Sequence, residues 1–391
     1  MSENHLPESA RCDVLIAGGG VAGIAAALAA ARQGAKVMLI EKQCLLGGLA
    51  TSGLVTIYLP LCDGRGYQLS WGIAEELLRL SILHGWQTRY PRAWLEGGTR
   101  EEKAEHRFEV QFNPVFFALE AEKLLQENGV AVCYDTLICG VETEGNRLTG
   151  VIVENESGRS AVRCAAAVDC TGTARLLYAC GEKTAVLDAG NTVAGWYYST
   201  GSDGLQLHMV GYAEVPGANP QQDGARFREI GAEEVNRFLY LSHQSTLAHS
   251  LKLREKDGVS EPVTMTGMAQ FRMIRRLDGE GLIRYEDDGK PTRESVGMIA
   301  NWRKAGPRYE VPYSCLYGKT ENLYAAGRCV NSDEKMWDLI RVIPCCAVTG
   351  EAAGIAAAMT AASGPRAPLA ALQERLRRAG QRLHFTEIEN A

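Results

Sequence analysis

Residues 13–30 read DVLIAGGGVAGIAAALAA, an apolar run that breaks at three glycines and resumes as an alanine-rich helix. Just upstream, Arg11–Ala17 (RCDVLIA) is short, β-branched and continuously apolar after Asp13, the pattern of a strand buried in a parallel sheet. Gly18, Gly20 and Gly23 follow as G-x-G-x-x-G, with Val21 and Ala22 inside the motif, and a helix is expected over Ile24–Gln33. Gly34 closes that helix, and AKVMLIE (residues 35–41) reads as a second strand ending on Glu41. Gly18 suits a tight turn, Gly20 lets the backbone approach a pyrophosphate, and Gly23 allows close helix–strand packing. The helix N-terminus turns the positive end of its dipole toward the phosphates. Glu41 is placed to accept hydrogen bonds from ribose hydroxyls and disfavours a 2′-phosphate. Strand, glycine turn, helix, strand and acid together predict a bound dinucleotide. The motif alone does not choose between NAD and FAD.

After Glu41 and Lys42 comes QCLLGGLATSGLV, where Gly47 and Gly48 form a second glycine turn and Thr51 offers a hydroxyl contact. Here the chain resembles the FAD-dependent oxidoreductases of the glutathione-reductase structural superfamily. In those proteins an acid followed by a glycine pair passes beside the pyrophosphate and the isoalloxazine ring. AAAVDCTGTARLLYACG (165–181) resembles the family's strand that ends in a D-A-T-G-like turn, with Thr171 and Gly172 in the turn and Cys170 replacing a small residue. FNPVFFALEAEKLLQENGVAVCYDTLICGV (112–141) resembles its helix and strand, implying that backbone around Thr136–Ile138 meets the adenine.

The tail ENLYAAGRCVNSDEKMWDLIRVIPCCAVTGEAAGIAAAM (321–359) is the most specific part. It resembles a poorly characterised FAD-dependent oxidoreductase group with an AGRC…IRxxPxCxxxGxAAG tail. A strand ends at Gly327 and Arg328, a loop follows, and Ile343 and Pro344 open a helix through Gly350 and Gly354. The resemblance implies that this helix points its N-terminus at the flavin and stabilises the anionic reduced ring. It covers about residues 11–185 and 260–360. The fold expected is α/β, a Rossmann-like FAD-binding domain of the glutathione-reductase type with an inserted α+β substrate or cap domain. The cofactor expected is FAD.

Arg341 matches the motif arginine before the flavin-facing helix, so it is expected beside the ring or an anionic substrate. A structural ion pair is the plainer alternative. QFRMIRR (270–276) is read as a strand on which Arg272 and Arg276 face one way and Arg275 the other, with Arg272 a candidate for a substrate carboxylate. Where many relatives carry a histidine after AGRC, this chain has NSDEKMWD (331–338). Glu334 takes that place as candidate acid/base, with Asp333 and Asp338 as replacements, and bulky Met336 and Trp337 are expected near the flavin. Cys345 and Cys346 lie at the helix N-terminus, where the dipole would lower a thiol pKa, but packing near the ring is the simpler reading. No metal site is expected.

A formal charge of −6 over 391 residues gives no basic footprint for nucleic acid or anionic lipid. The longest apolar stretches, 21–31 and 352–362, are too short and alanine-rich for a membrane span. The opening MSENHLPESA has no signal-peptide core, and twelve cysteines show no CxxC and no zinc spacing. A cytoplasmic protein with free thiols is expected. The chain divides as 11–60, 108–185 and 312–391 for the FAD domain, and 61–107 plus 186–311 for the substrate domain. In the insertions QLSWGIAEELLRLSILHGW and AEEVNRFLYLSHQSTLAHSLKLREK read as helices, AGWYYST and LQLHMVGYAEV as strands. PLAALQERLRRAGQRLHF reads as an amphipathic C-terminal helix for packing or a subunit contact. No second G-x-G-x-x-G follows a later strand. Electrons are therefore expected from a small organic substrate, a transient pyridine nucleotide or a protein partner; homo-oligomerisation stays open. The alternatives are a flavin-dependent monooxygenase and a flavin-binding sensor without turnover.

Overall fold

The computed structural model describes residues 6–211, 225–228 and 230–389. Strand β1 (Glu8–Ala17), helix α1 (Val21–Arg32) and strand β2 (Val37–Ile40) form the β–α–β unit announced by the glycine motif. The helix starts at Val21 rather than Ile24, so the last residues of the motif are themselves its first turn. Helix α2 (Ile73–Ser81) comes next, and two short helices, Arg92–Leu95 and Arg100–Glu105, occupy the stretch behind it. Helix α3 (Pro114–Glu127) starts at Asn113, whose side chain accepts from the Val115 and Phe116 N–H groups, and leads into β3 (Ala131–Cys133). Strands β4 (Leu137–Glu144), β5 (Arg147–Asn155) and β6 (Gly158–Asp169) then run as an antiparallel meander.

Strands β7 (Gly195–Gly201) and β8 (Gly204–Val210) pair as a hairpin, helix α4 spans Ala232–Asp257, and β9 (Glu261–Met265) pairs with β7. Residues 212–215 of the expected strand LQLHMVGYAEV lie outside the described residues. The tail supplies β10 (Leu323–Ala325), α5 (Glu334–Ile340), α6 (Ile343–Ser363) and α7 (Leu369–Arg378).

One sheet holds seven strands in the order β3–β2–β1–β6–β5–β4, with β10 added alongside β6. Strand β6 is long enough to serve two partners on one edge. Its first half pairs antiparallel with β5, while Ala167–Asp169 pair parallel with Leu323–Ala325. On its other edge Asp169 stands level with Ala17 of β1. Three strands from distant parts of the chain therefore end side by side, and the turns beginning at Gly18, Cys170 and Ala326 open at one carboxyl edge. This is where α/β sheets bind ligands.

Val14–Ala17 are fully buried, as a central strand covered on both faces requires. Helix α6 lies along α1, and their crossing explains the small residues of both. A Cβ at Gly350 would collide with the Ala22 carbonyl, and one at Gly354 with the Ala26 carbonyl. Gly354→Ala is therefore expected to lower the unfolding free energy by about 1–3 kcal/mol, despite alanine's better helix propensity, read as a lower urea midpoint.

Three expectations need correction here. The stretch between Arg328 and Pro344 is not a loop: Asp333 caps helix α5 by accepting from the Met336 N–H at 2.7 Å. QFRMIRR is not a strand; only Arg275–Leu277 pair, with residues 184–186. Finally, the apolar stretch 352–362 belongs to a 21-residue helix, the one among the described residues long and apolar enough to cross a membrane, though most of it is buried in the fold.

Candidate active site

Gly18 (φ +95°) makes the turn out of β1, and a Cβ there would press on the Cys170 carbonyl at 2.8 Å. Gly23 leaves no room either, because its Cβ would overlap the Gly18 carbonyl. Gly20 differs. Nothing in the protein lies within 4 Å of a Cβ placed on it. It caps α1 with extended backbone and no side-chain hydrogen bond, and the first turn, which includes Val21 and Ala22, contains no acidic residue. The helix therefore presents unsatisfied N–H groups and positive dipole to an open space, a ready anion site.

The second glycine turn closes over the first. The Gly47 N–H donates to the Gly19 carbonyl at 2.8 Å, and a Cβ on Gly48 would reach the Gly20 Cα at 3.2 Å. Glu41 holds the two together: its Oε2 accepts from the Gly19 N–H at 2.6 Å and its Oε1 from the Gln43 N–H at 2.9 Å. Burial raises its carboxyl pKa against these two hydrogen bonds. Lys42 beside it is exposed.

Two neighbouring stretches are tied down by hydrogen bonds within the protein. The Thr51 hydroxyl faces its own loop, donating to the Leu46 carbonyl, so it pins the turn rather than reaching outward. At the adenine end, the Thr136 N–H donates to the Glu41 carbonyl at 3.1 Å, and the Ile138 carbonyl accepts from Arg175 Nε at 3.0 Å. These two hydrogen bonds fix the backbone of the stretch expected beside the adenine.

On the other side of the sheet edge, Asp169 organises the third turn. It accepts from the Thr171 N–H and hydroxyl through one oxygen and from the Leu176 and Leu177 N–H groups through the other. Gly172 leaves space filled by Arg328, whose guanidinium lies where a Cβ would stand. Gly327 is fixed by its N–H, which donates to Thr349 Oγ1 at 2.9 Å.

Beyond the glycines a cavity of about 260 Å³ opens. Leu49, Ala50, Val342 and Ile343 are among its lining residues, the last two at the start of α6. Trp196, Arg272, Trp302, Arg328 and Arg341 line it too, and of the lining residues Arg89 and Met209 are exposed. Helix α6, like α1, begins with neither a side-chain cap nor an acidic residue in its first turn. Arg341 is both a lining residue and one partner of an ion pair. It binds Asp338 through Nε at 3.2 Å and Nη2 at 2.6 Å, and Arg303 Nε donates to the other Asp338 oxygen at 2.5 Å. Burial pushes the Asp338 carboxyl up, but the two guanidiniums more than reverse this and leave it below its usual value. Arg272 is 4% exposed, with its guanidinium 4.9 Å from the Trp196 ring centre.

The remaining candidates fall elsewhere. Glu334 is exposed in the first turn of α5 and does not line the cavity. A short helix occupies the place where a loop had been expected, and it turns this carboxylate to solvent. Asp333 is the cap of that helix, and Asp338 stands behind Arg341. Met336 and Trp337 are fully buried core residues; Trp337 donates its indole N–H to the Arg328 carbonyl at 2.9 Å. Arg275 and Arg276 pack over Tyr178 and Trp337. Cys345 and Cys346 are buried, and burial outweighs the helix dipole: the Cys345 thiol is raised well above its usual value and the Cys346 thiol to about 11.

Sequence reasoning missed Arg89, Trp196, Met209 and Trp302. Arg89 has one local peculiarity, a left-handed backbone (φ +63°), invisible before folding.

A family model described as FAD dependent oxidoreductase matches residues 13–196 and 278–376, most of the chain. The chain belongs to this family. It is an FAD-binding oxidoreductase, and the open space at Gly20, the uncapped α1 and the adjoining cavity suit that cofactor. The thioredoxin reductase of Ureaplasma parvum serovar 3 is 37% identical over 70 residues, 18% of this chain and 23% of that protein. Among solved structures, a geranylgeranyl bacteriochlorophyll reductase-like protein from Thermoplasma acidophilum superposes with a TM-score of 0.47 at 14% identity, over 94% of this chain and 83% of the other. The p-nitrophenol 4-monooxygenase of Pseudomonas putida gives 0.46 at 13%, over 94% and 84%. At these scores the structural likenesses carry no argument of their own.

Proposed function

We propose that this FAD-dependent oxidoreductase transfers a hydride or electron pair between a small organic substrate and its cofactor in the cavity at the N-terminus of α6. The observation that carries this is the cavity's position. Its lining joins Leu49 and Ala50, which directly follow the second glycine turn, to Val342 and Ile343 at the start of α6 and to Trp196 and Arg272 from the inserted segment. A ring reaching out of the glycine turns and a substrate entering past Arg89 would meet there.

When bound, FAD supplies reversible two-electron uptake. The protein's part is positioning and electrostatics. The positive end of α6, at Val342 and Ile343, favours negative charge on a group docked beside it. Asp338 holds the Arg341 guanidinium rigid at the cavity edge, so its charge is preorganised. Leu49, Val55, Ile57 and Leu59 exclude water along the wall. Among the described residues no carboxylate, imidazole or hydroxyl lines the cavity, so these side chains orient and neutralise rather than accept a proton.

The reading includes a glutathione-reductase-type FAD domain built from 11–60, 108–185 and 312–391, with 61–107 and 186–311 as the substrate domain. Supporting it, β6 and β10 join β1 in one sheet, while β7, β8 and β9 form a separate sheet of their own. Gly18, Gly20, Val21, Ala22, Gly23, Glu41, Lys42, Gly47 and Gly48 would serve the pyrophosphate and ribose side. Thr171, Gly172, Gly327, Arg328, Arg341 and Ile343 would complete the cofactor site. All twelve cysteines are unpaired, in keeping with a reducing, cytoplasmic setting.

The test is an anaerobic visible spectrum of the holoprotein, recorded alone, with NADH, with NADPH and with candidate organic substrates. Bleaching of the flavin band by an organic substrate supports the proposal. Rapid bleaching by a pyridine nucleotide, with oxygen then consumed on adding substrate, would replace it with a monooxygenase.

A further inference from the structure

The polar side chains that line the cavity are all of one kind. Arg89, Arg272, Arg328 and Arg341 bring guanidinium donors, and the rest of the lining is aliphatic, Met209 or indole. Both indole N–H groups are engaged: Trp196 donates to the Gly211 carbonyl at 3.1 Å and Trp302 to the Asp338 carbonyl at 3.1 Å. Among the described residues the lining therefore contains no side-chain oxygen or imidazole acceptor, the weakly accepting Met209 sulfur aside. Two of these arginines pair with carboxylates that do not themselves line the space, Arg89 with Glu109 at 3.1 Å and Arg341 with Asp338.

A ligand entering such a space must bring acceptors of its own. Guanidinium is a planar fork that matches a carboxylate with two parallel hydrogen bonds. A ligand amine or hydroxyl hydrogen would be buried without a side-chain partner, which is costly. The walls add a shape. The Arg272 guanidinium lies against the Trp196 ring, and Arg303, just outside the lining, lies 4.2 Å from the centre of the Trp302 ring. Each indole thus presents a flat apolar face whose position is fixed by a cation. Arg272 is deeply buried, whereas Arg89 sits exposed at the mouth, so positive charge runs from entrance to floor.

We infer that the substrate is a flat organic carboxylate, aromatic in the simplest case, whose carboxylate is received by Arg272 and whose ring lies against Trp196 and Trp302. This rests on the reading of the cavity as the place where substrate meets FAD.

Benzoate and benzamide test it as probes, since they share a shape and differ in charge. Each is titrated into the holoprotein while the perturbation of the flavin band is recorded. Benzoate is expected to bind about tenfold or more tightly than benzamide, the loss anticipated when a charge-assisted pair is replaced by a neutral one. Arg272→Gln should bring the two affinities close together by weakening benzoate alone, and Arg272→Lys should restore part of the preference. Equal affinities in the wild type, benzoate that perturbs nothing, or a preference that survives in Arg272→Gln would each overturn the inference. The wild-type comparison stands even if a variant fails to fold. Acid-released FAD measured on the same samples separates the two claims. Flavin present without anion preference sinks the substrate class alone, whereas absence of flavin sinks the underlying reading, and tryptophan quenching then reports benzoate binding by itself.

Discussion

Gly20→Val will purify as a folded protein that has lost its yellow colour. The reason is the difference between three glycines only a few residues apart. Gly18 and Gly23 face protein atoms, so side chains there strain the fold itself. Gly20 has extended backbone, which valine adopts readily, and its Cβ meets no protein atom within 4 Å. Space kept clear at an uncapped helix N-terminus is space for the cofactor's phosphates. Filling it should weaken FAD binding by about 100-fold or more, equivalent to roughly 3 kcal/mol. The urea midpoint of the flavin-free protein should stay where it is. Gly23→Val should instead lower stability and flavin content together. Isothermal titration with FAD and denaturation of the apoproteins separate the two outcomes. A Gly20→Val protein with normal affinity would show that no phosphate lies against this helix.

The second large effect concerns Glu351, a carboxylate buried at 1% exposure in the middle of α6. Its Oε2 accepts from the Ile73 N–H at 2.9 Å and from Gln381 Nε2 at 2.7 Å, while its Oε1 and the Gln381 Oε1 are both left without partners. Burial raises its pKa from 4.5 to about 7, against the opposing pull of those two donors. Below about pH 4.5 the group is protonated in both folded and unfolded chains and has no effect. Between there and about pH 7 the folded protein keeps a proton that the unfolded chain has released, so stability falls as pH rises. Above pH 7 the penalty is complete, of order 3 kcal/mol. Glu351→Gln is always neutral and brings a donor for the unpaired oxygen. It should therefore be more stable than the wild type at pH 8 by up to about 3 kcal/mol, with the gap closing by about pH 4. Urea denaturation of both proteins at the two pH values measures this. A variant that is less stable at pH 8 would mean that the carboxylate is ionised and needed there.

How far the sequence could be read depended on whether a feature was local. The β1–α1–β2 unit is announced by thirty consecutive residues whose period, glycines and terminal acid agree, and it forms as expected. Pro344 opening α6, and Gly350 and Gly354 facing a neighbour, were legible for the same reason. Arg341, carried by a linear motif, both lines the cavity and forms the ion pair that was the plainer alternative. Glu334 was misplaced because a seven-residue helix was overlooked, although Asp333 followed by Glu334 and an apolar run is the signature of a helix start. Arg272 was chosen on the assumption of a strand; it reaches the cavity from irregular backbone instead. The cavity's other walls were out of reach. Trp196, Arg89 and Trp302 come from three segments that meet only after the chain has folded, and no spacing links them. At Cys345 and Cys346 the helix dipole was anticipated and full burial was not, so the direction of the thiol shift came out reversed.

The flavin ring is expected to lie in the cavity at the start of α6. A crystal structure of the FAD-loaded protein tests this most directly. The ring is predicted beside Val342–Ile343 and Leu49–Ala50, with the pyrophosphate across Gly20 and Trp196 and Arg272 left open to substrate. A ring found outside this cavity, or phosphates away from Gly20, would contradict it.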